Sequence, residues 1–292
     1  MNRLIIIDSH PLAYRAYYSP GTRKLKTSDG TLSGLFFGFI RSYITLQSRF
    51  PKSHFIFCFD SGASWRNKVY PAYKSHHPPG TLEGFDLQLE DLKTFIQALG
   101  IPTFIQSGLE ADDLISVCAC EWVASIKDGT AVIVSSDRDF FQLVSEKISC
   151  YDDRAKTFYG PAEVEAKTGV RPEHIVNYKA LLGDPSDNIA GVYGYGPKKA
   201  ALYAKYIYSE EYLDADELDI FFRNIRLINL PQSLGELGAY LSRGGLQRIS
   251  DKIEEAFELF QYHRLRVIDL FIQEELLVKY EVKTININSF GD

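Results

Sequence analysis

Asp8 ends the apolar run Leu4-Ile5-Ile6-Ile7, and Asp60 ends Phe55-Ile56-Phe57-Cys58-Phe59 in the same way. Glu110, Asp112 and Asp113 follow Thr103-Phe104-Ile105, and Asp137 and Asp139 follow Ala131-Val132-Ile133-Val134. Each run is β-rich and lacks polar alternation, which suits a strand covered on both faces of a parallel sheet. The carboxyl ends of such strands share one edge, where ligands bind. Acids from four strand–helix junctions would therefore meet in one concavity. Packed together without His or Cys, they repel one another by several kcal/mol, roughly, unless hard cations neutralise them. All-oxygen ligation selects Mg²⁺ or Mn²⁺ over zinc. Two such ions about 4 Å apart serve in-line phosphodiester hydrolysis. A single Asp after a strand is more often a helix N-cap. Glu110-Ala111-Asp112-Asp113 alone would suit a first turn that complements the helix dipole. Four junctions in series favour the metal cluster.

A second constellation is Gly183-Asp184-Pro185-Ser186-Asp187-Asn188, followed by Gly191-Val192-Tyr193-Gly194-Tyr195-Gly196-Pro197-Lys198-Lys199-Ala200. The latter reads as a hairpin between two helices, with Gly191, Gly194 and Gly196 at the tight turns and Pro197 as a first helical residue. Amides at such a turn bind phosphate without reading bases, here helped by Lys198 and Lys199. The plainer alternative is a glycine-rich connection with two solvated lysines; Asp184 and Asp187 just upstream tip the balance. Residues 62–92 interleave basic and aromatic side chains from Trp65 to Lys74, a pattern suited to single-stranded nucleic acid. There the alternative is that Tyr70-Pro71-Ala72-Tyr73 is a buried turn.

The elements that must position these groups follow from periodicity. Helical segments over 30–47, 86–99, 110–126 and 138–144 alternate with the four strands, which argues for an α/β domain over 1–160. Gly30, Gly34 and Gly38 share a face of the first helix, so close backbone packing is expected there. Residues 161–292 read as mostly helical. Pro161 opens and Gly169 closes one helix, Pro172 starts another, and further patterns cover 216–227 and 251–270. The alternating tail 278–287 suits an edge strand.

With 45% apolar and 24% charged residues in 292, a sizeable core is available and wholesale disorder is excluded. No apolar run approaches the roughly 18–20 residues of a membrane span, and the run after Arg3 is too short for a signal-peptide core. Cys58, Cys118, Cys120 and Cys150 lack zinc-site spacing and read as reduced thiols in a cytoplasmic protein. The net charge of −6 argues against a nucleic-acid partner only superficially. With the nine site acids set aside, 29 of the 38 acidic residues remain against 32 basic ones, a remainder of +3.

The motifs together resemble the 5′-nuclease superfamily of flap endonucleases, bacteriophage 5′–3′ exonucleases and the 5′-nuclease domain of bacterial DNA polymerase I. The resemblance rests on Ile7-Asp8 with Tyr14-Arg15, Phe59-Asp60-Ser61, residues 66–74, Glu110-Ala111-Asp112-Asp113, Ser136-Asp137-Arg138-Asp139 with Gln142-Leu143, and residues 183–200. It implies a PIN-like, mostly parallel sheet flanked by helices, with a helical region bearing a helix–two-turn–helix over about 183–206. It implies that Asp8, Asp60, Glu110, Asp112 and Asp137 hold a first Mg²⁺ or Mn²⁺, with Asp113 close by. Asp139, Asp184 and Asp187 would surround a second ion, with Asp137 near both. Tyr73 would stack on a base, while Lys74, Arg66 and Arg15 steady the scissile phosphate beneath an arch over 62–92. The hairpin at Gly191, Gly194, Gly196, Lys198 and Lys199 would grip duplex DNA, with K⁺ among its carbonyls. Relatives place an arginine soon after the tyrosine–lysine pair, where this chain has Ser75-His76-His77.

The implied activity is a free-standing, structure-specific 5′ nuclease. It would act as a monomer on flaps, overhangs, duplex ends and RNA–DNA hybrids, beside replication proteins in a bacterial or phage-infected cell. One rival is a catalytically silent DNA-junction binder, which the full set of acids speaks against. Another is a haloacid-dehalogenase-type phosphatase, whose second acid is replaced here by His10.

Overall fold

The described residues of the computed structural model are 2–75, 82–206 and 212–262. In chain order the first elements are β1 (Asn2–Asp8), α1 (Ser9–Tyr18), α2 (Gly34–Arg49), β2 (His54–Cys58), α3 (Arg66–Val69), α4 (Phe85–Ala98), β3 (Thr103–Phe104) and α5 (Ala111–Ser125). Next come β4 (Gly129–Val134), a 3-10 turn (Asp139–Leu143), β5 (Ile148–Asp152), β6 (Thr157–Tyr159) and α6 (Pro161–Thr168). A short 3-10 turn (Pro172–His174) leads into α7 (Ile175–Leu182), the β7 (Gly183–Asp184) and β8 (Ile189–Ala190) pair, and α8 (Pro197–Tyr203). Three helices finish the described chain: α9 (Ala215–Ile228), α10 (Leu234–Leu237) and α11 (Arg243–Tyr262).

Six strands form one sheet in the order β3-β2-β1-β4-β5-β6, parallel except for the antiparallel edge strand β6. The chain winds outward from β1 through β2 to β3, then returns to β1's other side as β4. This reversal opens a crevice at the carboxyl ends of β1 and β4, the place where a ligand site forms in such sheets. Asp8 ends β1, and Ser135, Ser136 and Asp137 follow β4.

The pleat divides β1 between two cores. Ile5 and Ile7 pack with Phe39, Tyr43, Phe57 and Phe95 beneath α1, α2 and α4. Leu4 and Ile6 pack with Ile133, Trp122, Phe257 and Phe260 beneath α5 and α11. The second cluster joins strand residues to helices past residue 237, so the packing runs continuously across residue 160. A third cluster joins Tyr73 to Leu181, Ile189, Tyr195 and Phe221.

Of the three aligned glycines, two permit close packing and one turns the chain. A Cβ on Gly34 would lie 2.2 Å from Thr22 O, and one on Gly38 would lie 3.0 Å from Ala16 Cβ. Gly30 instead takes φ +91 in the turn before α2. The segment expected as a helix over 138–144 is a 3-10 turn, while β5 and β6 carry too much polar character to stand out as runs. His76, His77 and the tail 278–287 fall outside the described residues, as does the end of the helix expected over 251–270. Among the described residues no helix is long and apolar enough to cross a membrane, and the four cysteines are free thiols.

Candidate metal centre

The site is built where the sheet reverses. The Ser135 hydroxyl donates to Asp8 Oδ2 at 2.7 Å and accepts the Asp137 N–H at 3.0 Å, tying the β4 loop to the end of β1. Asp137 Oδ1 in turn accepts the Asp139 N–H at 2.8 Å. Asp60 Oδ1 caps an amide of α5, accepting from Ala111 N–H at 2.8 Å. Asp112 stands on the first turn of the same helix.

Burial and mutual repulsion shape the charges. Asp8, 5% exposed, is pushed up to about 8 by burial, with Asp60 and Asp137 adding to the effect. Burial, then Asp8 and Asp137, push Asp112 well above the carboxylate range. Burial also raises Asp139 to about 6 against the opposing charge of Lys179, with Asp137 and Asp184 nearby. Asp187 is raised by burial and by Asp139 and Asp184, which outweigh Lys74. These couplings link Asp60, Asp8, Asp112, Asp137, Asp139, Asp184 and Asp187 into one field of negative charge. Within it, Asp139, Asp184 and Asp187 each offer an oxygen, all within 4.8 Å of one another. Crowded carboxylate oxygens without His or Cys are the donor set a hard divalent cation takes, so the residues fit the metal.

This has a consequence for stability. Asp8 has a higher proton affinity folded than unfolded, so its contribution is full below about pH 4 and is lost as pH rises through about 8. Asp139 acts with the same sign over the lower part of that window. The metal-free protein should therefore melt lower near pH 8 than near pH 6, and saturating Mg²⁺ should recover most of the difference. Thermal melts across that range in EDTA and in Mg²⁺ check this; a metal-free melting temperature that rises with pH would contradict it.

Not every expected residue faces this field. Asp113 is fully buried, and its oxygens accept from Arg66 Nη2 at 2.8 Å, Arg66 Nη1 at 3.1 Å, Trp65 Nε1 at 3.3 Å and Glu110 N–H at 3.1 Å. Arg66, expected at a phosphate, is 2% exposed, and its Nε donates to Leu227 O at 2.8 Å. The two form a buried ion pair. Tyr73, expected to stack on a base, is 3% exposed, with its hydroxyl 3.0 Å from Glu110 Oε2 and 3.1 Å from Asp187 Oδ2. Its segment is a turn in which Tyr73 is buried, Tyr70 and Ala72 are half-buried and Pro71 is exposed. Glu110 receives Lys74 Nζ at 2.6 Å and Arg66 Nη1 at 2.9 Å. Burial opposes its charge, but these two cations hold its carboxyl below the usual range.

Lys74 remains at the edge of the field. Its side chain is 36% exposed, with Nζ 3.9 Å from Asp187 Oδ1. Its φ of +50 is a strained value, fixed by its N–H on Asp187 O at 2.9 Å. Arg15 pairs with Asp153 and lines, with Asp8, Tyr14 and Ser135, a cleft of about 340 Å³.

The second constellation forms a helical hairpin. Gly183 has φ +82, and a Cβ on Gly191 would lie 2.2 Å from Leu182 O, so α7 and the following turn cross in near contact. Gly194 has φ +77 at the tip, and Gly196 precedes α8 in extended conformation. Lys198 stands on the first turn of α8. Lys199 Nζ sits 3.8 Å from the centroid of the Tyr195 ring.

Two contributors were missed from sequence. Ser135 orients Asp8, and Lys179 donates to Asp139 and to Asp184 Oδ2, the latter at 2.6 Å. The available signal for Lys179 was its isolation: it is the one charged residue in α7.

An acid-lined crevice thus lies at the switch point of a parallel sheet, with a glycine-rich turn between α7 and α8 beside it. The chain belongs to the 5′–3′ exonuclease family, whose profile, described as "5'-3' exonuclease, N-terminal resolvase-like domain", matches residues 3–169. It is 38% identical over 200 residues to DNA polymerase I, thermostable, of Thermus filiformis, covering 68% of this chain and 23% of that protein. DNA polymerase I of Mycobacterium leprae (strain TN) is 35% identical over 203 residues, covering 68% of this chain and 22% of its own. The chain thus spans less than a quarter of these curated relatives. Among solved structures, the bacteriophage T5 D15 protein co-crystallised with metal ions superposes with a TM-score of 0.69 at 22% identity, over 87% of this chain and 99% of that one. Flap endonuclease-1 from Methanococcus jannaschii gives 0.51 at 14% identity, over 89% and 93%. At these identities the likeness to the two structures is one of fold.

Proposed function

We propose that the chain is a structure-specific 5′ nuclease that hydrolyses phosphodiesters at flaps, overhangs and duplex ends of DNA, and in RNA–DNA hybrids. The observation that carries this reading is the single field of mutually repelling carboxylates at the sheet's switch point, with Asp8 buried and Asp112 and Asp139 half-buried. Asp8, Asp60, Asp112 and Asp137 would hold one Mg²⁺ or Mn²⁺, with Glu110 at its margin; Asp139, Asp184 and Asp187 would hold a second. Ions bound there lower the pKa of water and polarise a phosphodiester.

The chain's own groups do the rest. Ser135 keeps Asp8 Oδ2 oriented toward the crevice. Lys74, strained in backbone and partly exposed, places a positive charge where a scissile phosphate would enter. Arg15 lines the adjoining cleft. Residues 62–92 would arch over the single strand. The turns at Gly191, Gly194 and Gly196, with Lys198 and Lys199, would grip duplex phosphates around K⁺, so 161–292 would hold the duplex and lend Asp184 and Asp187 to the cutting groups of 1–160. In its solved complex the T5 D15 flap endonuclease is bound to DNA and metal ions, which supports the reading. The enzyme would act as a monomer among replication proteins in the cytoplasm of a bacterial or phage-infected cell.

A flap labelled at its 5′ end tests this. Mg²⁺ or Mn²⁺ should release short labelled products, EDTA should abolish them, and added salt should weaken binding. Duplex binding without cutting in either metal would replace the nuclease with a junction-binding protein.

A further inference from the structure

Lys179 occupies an unusual place for a surface-type residue. Its side chain is 15% exposed, and its ammonium lies between Asp139 and Asp184. Those are two of the three acids whose oxygens converge within 4.8 Å. Both Asp184 oxygens are engaged: Oδ2 takes Lys179 Nζ at 2.6 Å, while Oδ1 takes the Ser186 N–H at 2.9 Å and the Ser186 hydroxyl. Asp139 Oδ1 is also engaged by Lys179. A divalent ion entering this group meets two carboxylates already engaged by the ammonium, and two cations sharing one cage repel. The helix fixes the lysine there, since Lys179 lies on α7 and Asp184 on the short strand that follows it.

We propose that Lys179 is a resident counter-cation that competes with a divalent ion for Asp139 and Asp184. In the DNA-free protein it keeps this group the weaker of the two metal sites. Among the described residues no lysine donates to Asp8 or Asp112 themselves, Lys74 Nζ reaching only Glu110 at that group's margin at 2.6 Å, and this group fills first. Loading of the Asp139 group then depends on something negative drawing the ammonium off, a role that a substrate phosphate has the charge and hydrogen-bonding capacity to fill. Lys179 is a positioning residue in this scheme. The inference rests on the two-site reading above.

The test is a Mn²⁺ titration of the full chain without DNA, followed by calorimetry and by the electron paramagnetic resonance of free Mn²⁺. Wild type should show a tight and a weak event. Lys179→Met should tighten the weak event tenfold or more and leave the tight one within about twofold. Lys179→Gln, which keeps hydrogen-bonding capacity without the charge, should do the same. A purely structural lysine predicts the opposite sign, so a weak event unchanged or weakened in both variants overturns the inference. Variants that fold only when Mn²⁺ is present support it; variants unfolded even in saturating Mn²⁺ make Lys179 a scaffold residue and overturn it. A wild-type chain that binds no Mn²⁺ sinks the metal-nuclease reading itself, an outcome distinct from all the others.

Discussion

Asp112→Asn is expected to lower the single-turnover rate of flap cutting by roughly 10³-fold, the loss typical of removing a group that acts on developing charge, while raising the melting temperature of the metal-free protein. The two effects share one cause. Asp112 is held well above the usual carboxylate range by burial and by the charges of Asp8 and Asp137. The amide is nearly isosteric, so packing on the first turn of α5 is kept. Removing the carboxylate relieves repulsion in the ion-free protein, which raises its stability, and removes a ligand, which lowers activity. Sites tuned for function are often destabilising in this way. Melting curves in EDTA, paired with cleavage in Mg²⁺, read both signs. An ordinary N-terminal acid complementing the helix dipole would give a lower melting temperature and nearly full cleavage.

Arg66→Met should destabilise the fold by about 3–5 kcal/mol, the cost of leaving a buried charge without its partner. Both guanidinium nitrogens of the fork engage Asp113, and Nε reaches Leu227 O, so three donors in one plane are used. Arg66→Lys keeps the charge but loses that geometry and should recover less than half of the loss. The double variant Arg66→Met with Asp113→Leu removes both charges and should regain most of it. Urea denaturation measures all three. Where Arg66→Met remains folded, its cleavage rate should fall far less than that of Asp112→Asn. A thousandfold loss in the fully folded variant would return the guanidinium to the scissile phosphate.

The frame of the protein was readable because its strongest signals are local. Apolar runs without alternation marked the parallel strands, and an acid at each carboxyl end marked the crevice. The strand order then brought the β1 and β4 acids together, as the position of Asp8 beside Ser135 and Asp137 shows. What could not be read was burial imposed from far along the chain. Arg66, Tyr73 and Trp65 look alike in sequence, as basic and aromatic residues near Lys74. Arg66 is covered by Leu227, and Trp65 stacks on Tyr240 at 3.8 Å between ring centroids. No pattern within residues 62–92 announces those partners. Lys179 was hidden for a related reason: Asp184 follows it closely in the chain, but Asp139 is brought to it only by the packing of α7 on the 3-10 turn.

The wrapping of α10 and α11 back over the sheet also bears on how far the catalytic half can be borrowed. Trp122 meets Phe257 edge-on at 5.0 Å between centroids, and Leu234 N–H reaches Glu121 Oε1 at 3.1 Å. Gln142, within the Asp139 turn, clasps Ile228 O at 3.1 Å and Leu230 N–H at 2.9 Å. A chimera that grafts only the first 169 residues onto another scaffold would carry every acid of the first group, yet bare a greasy flank and slacken the loops that aim those acids. Modular shuffling of this enzyme therefore has to move the trailing helices as cargo, or supply a foreign surface that mimics them.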